Sequence, residues 1–183
     1  MSEEYKSIAA SQVTFSQLML PSNTNFNGKI HGGYMLSLMD QIAFACASKH
    51  SENYCVTASV DTVDFKIPIE VGELVVMKAS VNYVGNTSMI IGIRVEAENV
   101  RTGVKKHCNS SYFTMVAKDD DGKSVKVPGL IIDSETALRR FVKGAASMKL
   151  KQQRNIEFTA SEFRKEDYLD ELSEYRIQLN LNK

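Results

Sequence analysis

The groups with the clearest chemical potential fall in one short stretch: Asn25, the run His31-Gly32-Gly33, and Asp40. Asp40 offers a carboxylate that can act as a general base towards water or attack directly as a nucleophile. Its plainer reading is a polar residue on the solvated seam of a helix, shared with Ser37 and Gln41. Gly32 and Gly33 open that helix, where unpaired N–H groups and the positive end of the macrodipole can bind a carbonyl oxygen. Two glycines equally allow a sharp chain entry or a close strand contact. Asn25 can orient a water or a carbonyl, or simply form a turn. His31 can bond a ligand or serve structure.

The elements that must position these groups follow from the apolar pattern. Val13 to Pro21 reads as a first strand, and the Asn- and Gly-rich segment from Ser22 to Gly33 as loop. A helix is expected from about Gly32 to Lys49, with Met35, Leu38, Met39, Ile42, Ala43 and Cys46 on one stripe. Leu36, Phe44 and Ala47 add a second stripe, so the helix is expected to be wrapped on most sides. Four strands follow: Cys55 to Ile67 with a bulge near Asp61 to Asp64, Glu73 to Val84, Met89 to Val100, and Lys105 to Lys118. No helix separates them, which argues for antiparallel pairing and against βαβ crossovers or a parallel sheet. The expectation is an α+β domain, an antiparallel sheet wrapped around one long central helix. Five strands leave two edges, which such a domain protects by pairing with another copy of itself. After residues 127–129 the composition shifts to charged helical segments, from about Glu135 to Arg154 and from Ser161 to Leu179. The division expected is a domain over 1–128 and a C-terminal helical extension over 129–183.

Bulk composition narrows the function classes. The 183 residues suit one domain with an appendage, and 22 basic residues balance 22 acidic ones, so nothing draws the chain to nucleic acid or an anionic membrane. No apolar run approaches the roughly 20 residues of a membrane span. The N-terminus has no secretory pattern. Three scattered cysteines and three scattered histidines argue against a disulfide framework or a metal site and fit a reducing cytoplasm. No G-x-S-x-G elbow, phosphate loop or dinucleotide glycine motif occurs.

The run PSNTNFNGKIHGGYMLSLMD, then VTASVDTVDF, GNTSM and YFTMVAKDDDGKSVKVP, resembles the acyl-CoA thioesterases (acyl-CoA hydrolases) of the hotdog-fold superfamily. The resemblance covers about residues 13–128 and fades towards 154. It implies a hotdog domain, pairing into dimers and often trimers of dimers, that hydrolyses acyl-CoA to a fatty acid and CoA with no cofactor beyond the CoA of the substrate. It implies a site at the dimer interface, with Asp40 as the acid of one subunit and Asn25 as the loop amide of the other. The Gly33 N–H would polarise the thioester carbonyl, and His31 and Gly32 would lie against the substrate. Asn86, Thr87 and Ser88 are expected to contact the pantetheine arm or nucleotide of CoA. Two rivals differ in class. A non-catalytic acyl-CoA-binding module on the same fold predicts binding without turnover, and a hydratase or dehydratase needs a His and an acid acting together.

Overall fold

The computed structural model describes residues 4–65 and 67–160, with side chains as far as 151 and at 153. The expected segment from Ser161 to Leu179 lies outside the described residues. The chain divides into a compact unit of residues 1–145 and a second unit of 146–183.

In the first unit, β1 (Tyr5–Ser7) and the single turn α1 (Ile8–Ser11) precede β2 (Val13–Leu18). The helix α2 (Gly32–Ser51) is followed by β3 (Tyr54–Val60), β4 (Glu73–Val84), β5 (Ser88–Asn99), β6 (Lys105–Lys118) and β7 (Gly129–Ile131), and α3 (Glu135–Ala160) begins in this unit and ends in the second. Five strands form one antiparallel sheet in the order β2-β4-β5-β6-β3, so β2 and β3 are its edges. The helix α2 lies across the inner face. Sheet and helix together make the expected α+β hotdog arrangement.

The core between them is rich in methionine. Met19, Met35, Met39, Met77, Met89 and Met115 are fully buried with Val75, Val81, Ile91, Val95 and Phe113. Flexible thioether side chains fill the uneven space between a cylinder and a curved sheet. At the start of α2, His31 is the N-cap residue; at the end, Glu52 turns left-handed with φ 56° and bonds back to Ser48. Lys49 lies in the last turn, where a cation suits the negative end of the dipole.

Several sequence expectations are corrected. The helix is not wrapped on most sides within one protomer: Ser37, Asp40, Gln41, Phe44 and Ala45 all face outward. Phe44 belongs to the exposed strip because only one flank of a helix can rest on a single sheet. The irregularity in β3 falls earlier than expected, between Thr57 and Ser59, and the strand stops at Val60. Residues 61–65 leave the sheet, although the Asp61 N–H still reaches the Tyr112 carbonyl at 2.9 Å.

The chain also contains one parallel pair, β1 with β7, in which Tyr5 stands opposite Gly129. Three-residue strands carry too little periodicity to be read in advance. Gly129 leaves room for the Tyr5 ring, which would have to shift if a Cβ stood 2.5 Å from it. None of the helices among the described residues is long and apolar enough to cross a membrane.

Candidate active site

The loop before α2 settles what the Asn25 side chain does in the protomer. Its Oδ1 accepts from the Asn27 N–H at 2.9 Å and the Lys29 N–H at 3.1 Å. Its carbonyl accepts from the Gly28 N–H at 3.0 Å, and Gly28 takes φ 72° to make that possible. Asn25 is therefore a turn former. The turn fixes the amide plane, so the group left to meet a ligand is the Nδ2 donor pair rather than the oxygen.

The helix N-terminus divides its amides differently from the sequence expectation. The Gly33 N–H donates to His31 Nδ1 at 2.9 Å, so His31 caps the helix with its own ring. The Met35 N–H bonds the His31 carbonyl, and the His31 N–H bonds the Asn23 carbonyl. The Gly32 N–H has no acceptor among the described residues. Of the two glycine amides, that of Gly32 is the open one in this conformation, and Gly33 becomes open only when the His31 ring turns away. The ring of Phe65 lies over Gly32, 3.4 Å from where a Cβ would stand. An alanine there would meet that ring at ordinary van der Waals distance.

Asp40 leaves the exposed flank of α2 into a surface groove walled by Gln41, Phe44, Tyr54, Val56 and Thr57. Its Oδ1 accepts from the Thr57 hydroxyl at 2.6 Å. That hydroxyl also lies 3.3 Å from Met115 Sδ, but its one proton goes to the shorter, stronger acceptor. Thr57 is the residue that reading the sequence missed. It lies 17 positions beyond Asp40, and only the packing of β3 beside α2 brings it there.

Asn86 and Thr87 lie in the β4–β5 connection and Ser88 opens β5; the Thr87 carbonyl accepts from the Ala117 N–H at 3.0 Å and the Asn86 carbonyl from the Val127 N–H at 3.0 Å. Neither this connection nor the N-terminal end of α2 contributes to the lining of the Asp40 groove.

Other chemistries find little support among the described residues. All three cysteines are buried, and burial pushes the Cys46 thiol up to about 12 and raises the Cys108 thiol, so neither is a ready nucleophile. His50 is fully buried and bonds the Pro128 carbonyl and the Ser11 hydroxyl rather than an acid.

A model of the thioesterase superfamily matches residues 27–104, which include the Gly-Gly helix start, Asp40 and Thr57. The uncharacterized acyl-CoA thioester hydrolase YkhA of Bacillus subtilis (strain 168) is 35% identical over 125 residues, covering 68% of this chain and 73% of its own length. The solved structure of an apo-hexameric acyl-CoA thioesterase superimposes with a TM-score of 0.80 at 34% identity, covering 83% of this chain and 97% of the other. An acyl-CoA hydrolase of Staphylococcus aureus, solved with butyryl-CoA, CoA and CoA disulfide, matches with a TM-score of 0.73 at 29% identity, covering 86% and 99%.

The fold and the helix acid define the class, a hotdog-fold thioesterase. Within it, this chain belongs to the acyl-CoA thioester hydrolase family. The S. aureus enzyme has also been solved as variants in which one Asp, one Asn or one Thr is replaced by Ala. In that enzyme the Asn precedes the Asp by 15 positions and the Thr follows it by 17.

Proposed function

We propose that this chain hydrolyses the thioester of acyl-CoA at a site shared between two protomers, with Asp40 as general base. The observation that carries this reading is the Asp40–Thr57 pair in an open groove, on a chain of this family. Asn25, Asp40 and Thr57 stand at the spacing of the three residues substituted in the S. aureus relative.

The helix geometry supports sharing. Gly32 and Asp40 are separated by ~12 Å of helix rise, and the amides point off the end of α2 while the acid leaves its flank. The reading therefore takes the Gly32 N–H and the Asn25 Nδ2 from one protomer and the acid from the other. The free edge of β3, paired only with β6, is the surface through which two such sheets can join. A hexamer built from such pairs is proposed by analogy with the hexameric relative. With three free, buried cysteines, a reducing cytoplasm is the proposed location.

In the reaction, the Gly32 amide binds the carbonyl oxygen, joined by Gly33 once His31 releases it. Asn25 Nδ2 holds the carbonyl or the attacking water. Thr57 fixes Oδ1 of Asp40, leaving Oδ2 to take the proton as water adds to the carbonyl carbon. The tetrahedral oxyanion then collapses, breaking the C–S bond and releasing the CoA thiolate, which needs no strong acid. Asn86, Thr87 and Ser88 are the proposed contacts for the rest of CoA.

The test is turnover of acyl-CoAs from acetyl to palmitoyl, followed by thiol release. Wild type is expected to turn over at least part of the panel, with Asp40→Ala slower by about 10²–10⁴-fold. Binding of CoA without any turnover would sink the hydrolase reading and leave the binding module. Near-full activity in Asp40→Ala would remove the acid from its role.

A further inference from the structure

We infer that Phe26 is an anchor between copies of this chain, its ring seating on the Phe44–Tyr54 pair beside Asp40 of a second copy. Phe26 is the most exposed large apolar residue described, at 111% relative exposure. Its loop is nonetheless firmly held. The Asn25 side chain and carbonyl accept three backbone N–H bonds, Thr24 bridges Ile30, and Lys29 Nζ bonds both Glu70 carboxylate oxygens at 2.6 and 2.8 Å. A ring carried on a loop held in this way needs little backbone ordering on binding, a condition that favours a strong aromatic anchor.

The receiving surface is also aromatic and open. Phe44 and Tyr54 meet edge to face at 5.6 Å and 60°, and are 38% and 63% exposed. Phe44 lies one helical turn beyond Asp40, and both rings wall the same groove.

The occupant is a second copy of the chain, a step that rests on the shared-site reading above. Phe26 adjoins Asn25, ~3.8 Å away between Cα atoms. When the Asn25 amide meets Asp40 of another protomer, Phe26 arrives beside that protomer's Phe44 and Tyr54. Within one chain, Phe44 lies ~18 Å of helix rise beyond Gly32, on the flank rather than the end of α2. Rings seated in this way exclude water from the edge of the catalytic groove and fix how far the Asn25 loop reaches into it.

The test places cysteines at both positions of the full chain. The native thiols are buried, so a short bis-maleimide reacts with the introduced ones. The Phe26→Cys/Phe44→Cys protein is expected to run at doubled mass on a denaturing gel, with neither single variant doing so. Phe26→Ala is expected to dissociate on dilution at concentrations about tenfold or more above wild type, and Phe26→Leu to fall between. Because Phe26 makes no packing contact in the protomer, the far-UV spectrum of Phe26→Ala is expected to stay as in wild type.

The inference is overturned if the double variant stays at single mass although both thiols label. It is overturned too if Phe26→Ala associates as wild type while Phe44→Ala alters acyl-chain preference, which would make the groove an acyl pocket. Association is read without turnover, so a chain that hydrolyses nothing yet cross-links refutes the hydrolase reading alone. An active enzyme that fails to cross-link refutes this inference alone.

Discussion

At the scale of single residues, the proposed role of Asp40 leans on one hydrogen bond, from the Thr57 hydroxyl at 2.6 Å. If that bond orients the carboxylate, Thr57→Val is expected to lower kcat/KM about tenfold with an unchanged melting temperature, and Thr57→Ser to restore most of it. Isotope placement tests the chemistry itself. A single turnover in H₂¹⁸O is expected to label the released acid and leave Asp40 unlabelled, since a base sends the water oxygen straight to the acyl group. Label in Asp40, read by peptide mass, would instead indicate a covalent anhydride. Asp40 and Asn25 were visible in the sequence as candidates. That the Gly33 amide is held by His31 and the Gly32 amide is free was not, because capping depends on how one imidazole ring turns.

At the scale of elements, two contacts hold the scaffold in place. The end of α2 is tied to the N-terminal segment and to the chain before β7 through His50, which bonds Ser11 and Pro128, while Lys6 Nζ bonds the His50 carbonyl at 3.0 Å. Burial lowers the His50 pKa from its ordinary 6.5, with the nearby Lys6 acting in the same direction. The unfolded chain then binds the proton more readily than the folded one. The contribution of His50 is fully present above about pH 6.5 and is lost as pH falls from there through the lowered folded value. Denaturant titrations at pH 8 and pH 5 are expected to show lower stability at pH 5. A His50→Gln variant should lose less across that interval, and an equal loss would remove His50 from the account.

The second contact lies on the outer face of the sheet, where Asn82 packs flat against Gly92. A Cβ at Gly92 would stand 2.1 Å from Asn82 Nδ2. Gly92→Ala is expected to cost about 1–3 kcal/mol in chemical denaturation. Adding Asn82→Ala should recover part of that loss, because the clash is with that side chain.

At the scale of the whole molecule, the proposed site is completed by a second copy of the chain. Asp40→Ala and Asn25→Ala proteins, each nearly inactive, are expected to regain roughly a quarter of wild-type activity when mixed under conditions that exchange subunits, because half the dimers are mixed and one of their two sites is intact. No recovery after demonstrated exchange would place both residues in one chain's site. The same proposal makes the exposed strip of α2, with Asp40 and Phe44 along it, one half of an interface.

The sequence by itself determined the long helix, the strands β4 and β6 to the residue, the antiparallel character of the main sheet and the family motifs. Each of these is written in local periodicity, in turn residues or in runs of consecutive positions. The β1–β7 pairing, the early end of β3, the meeting of Thr57 with Asp40 and the occupation of the Gly33 amide were decided only in three dimensions. Each joins groups that are distant in sequence or depends on the rotation of one side chain, and one-dimensional spacing carries neither.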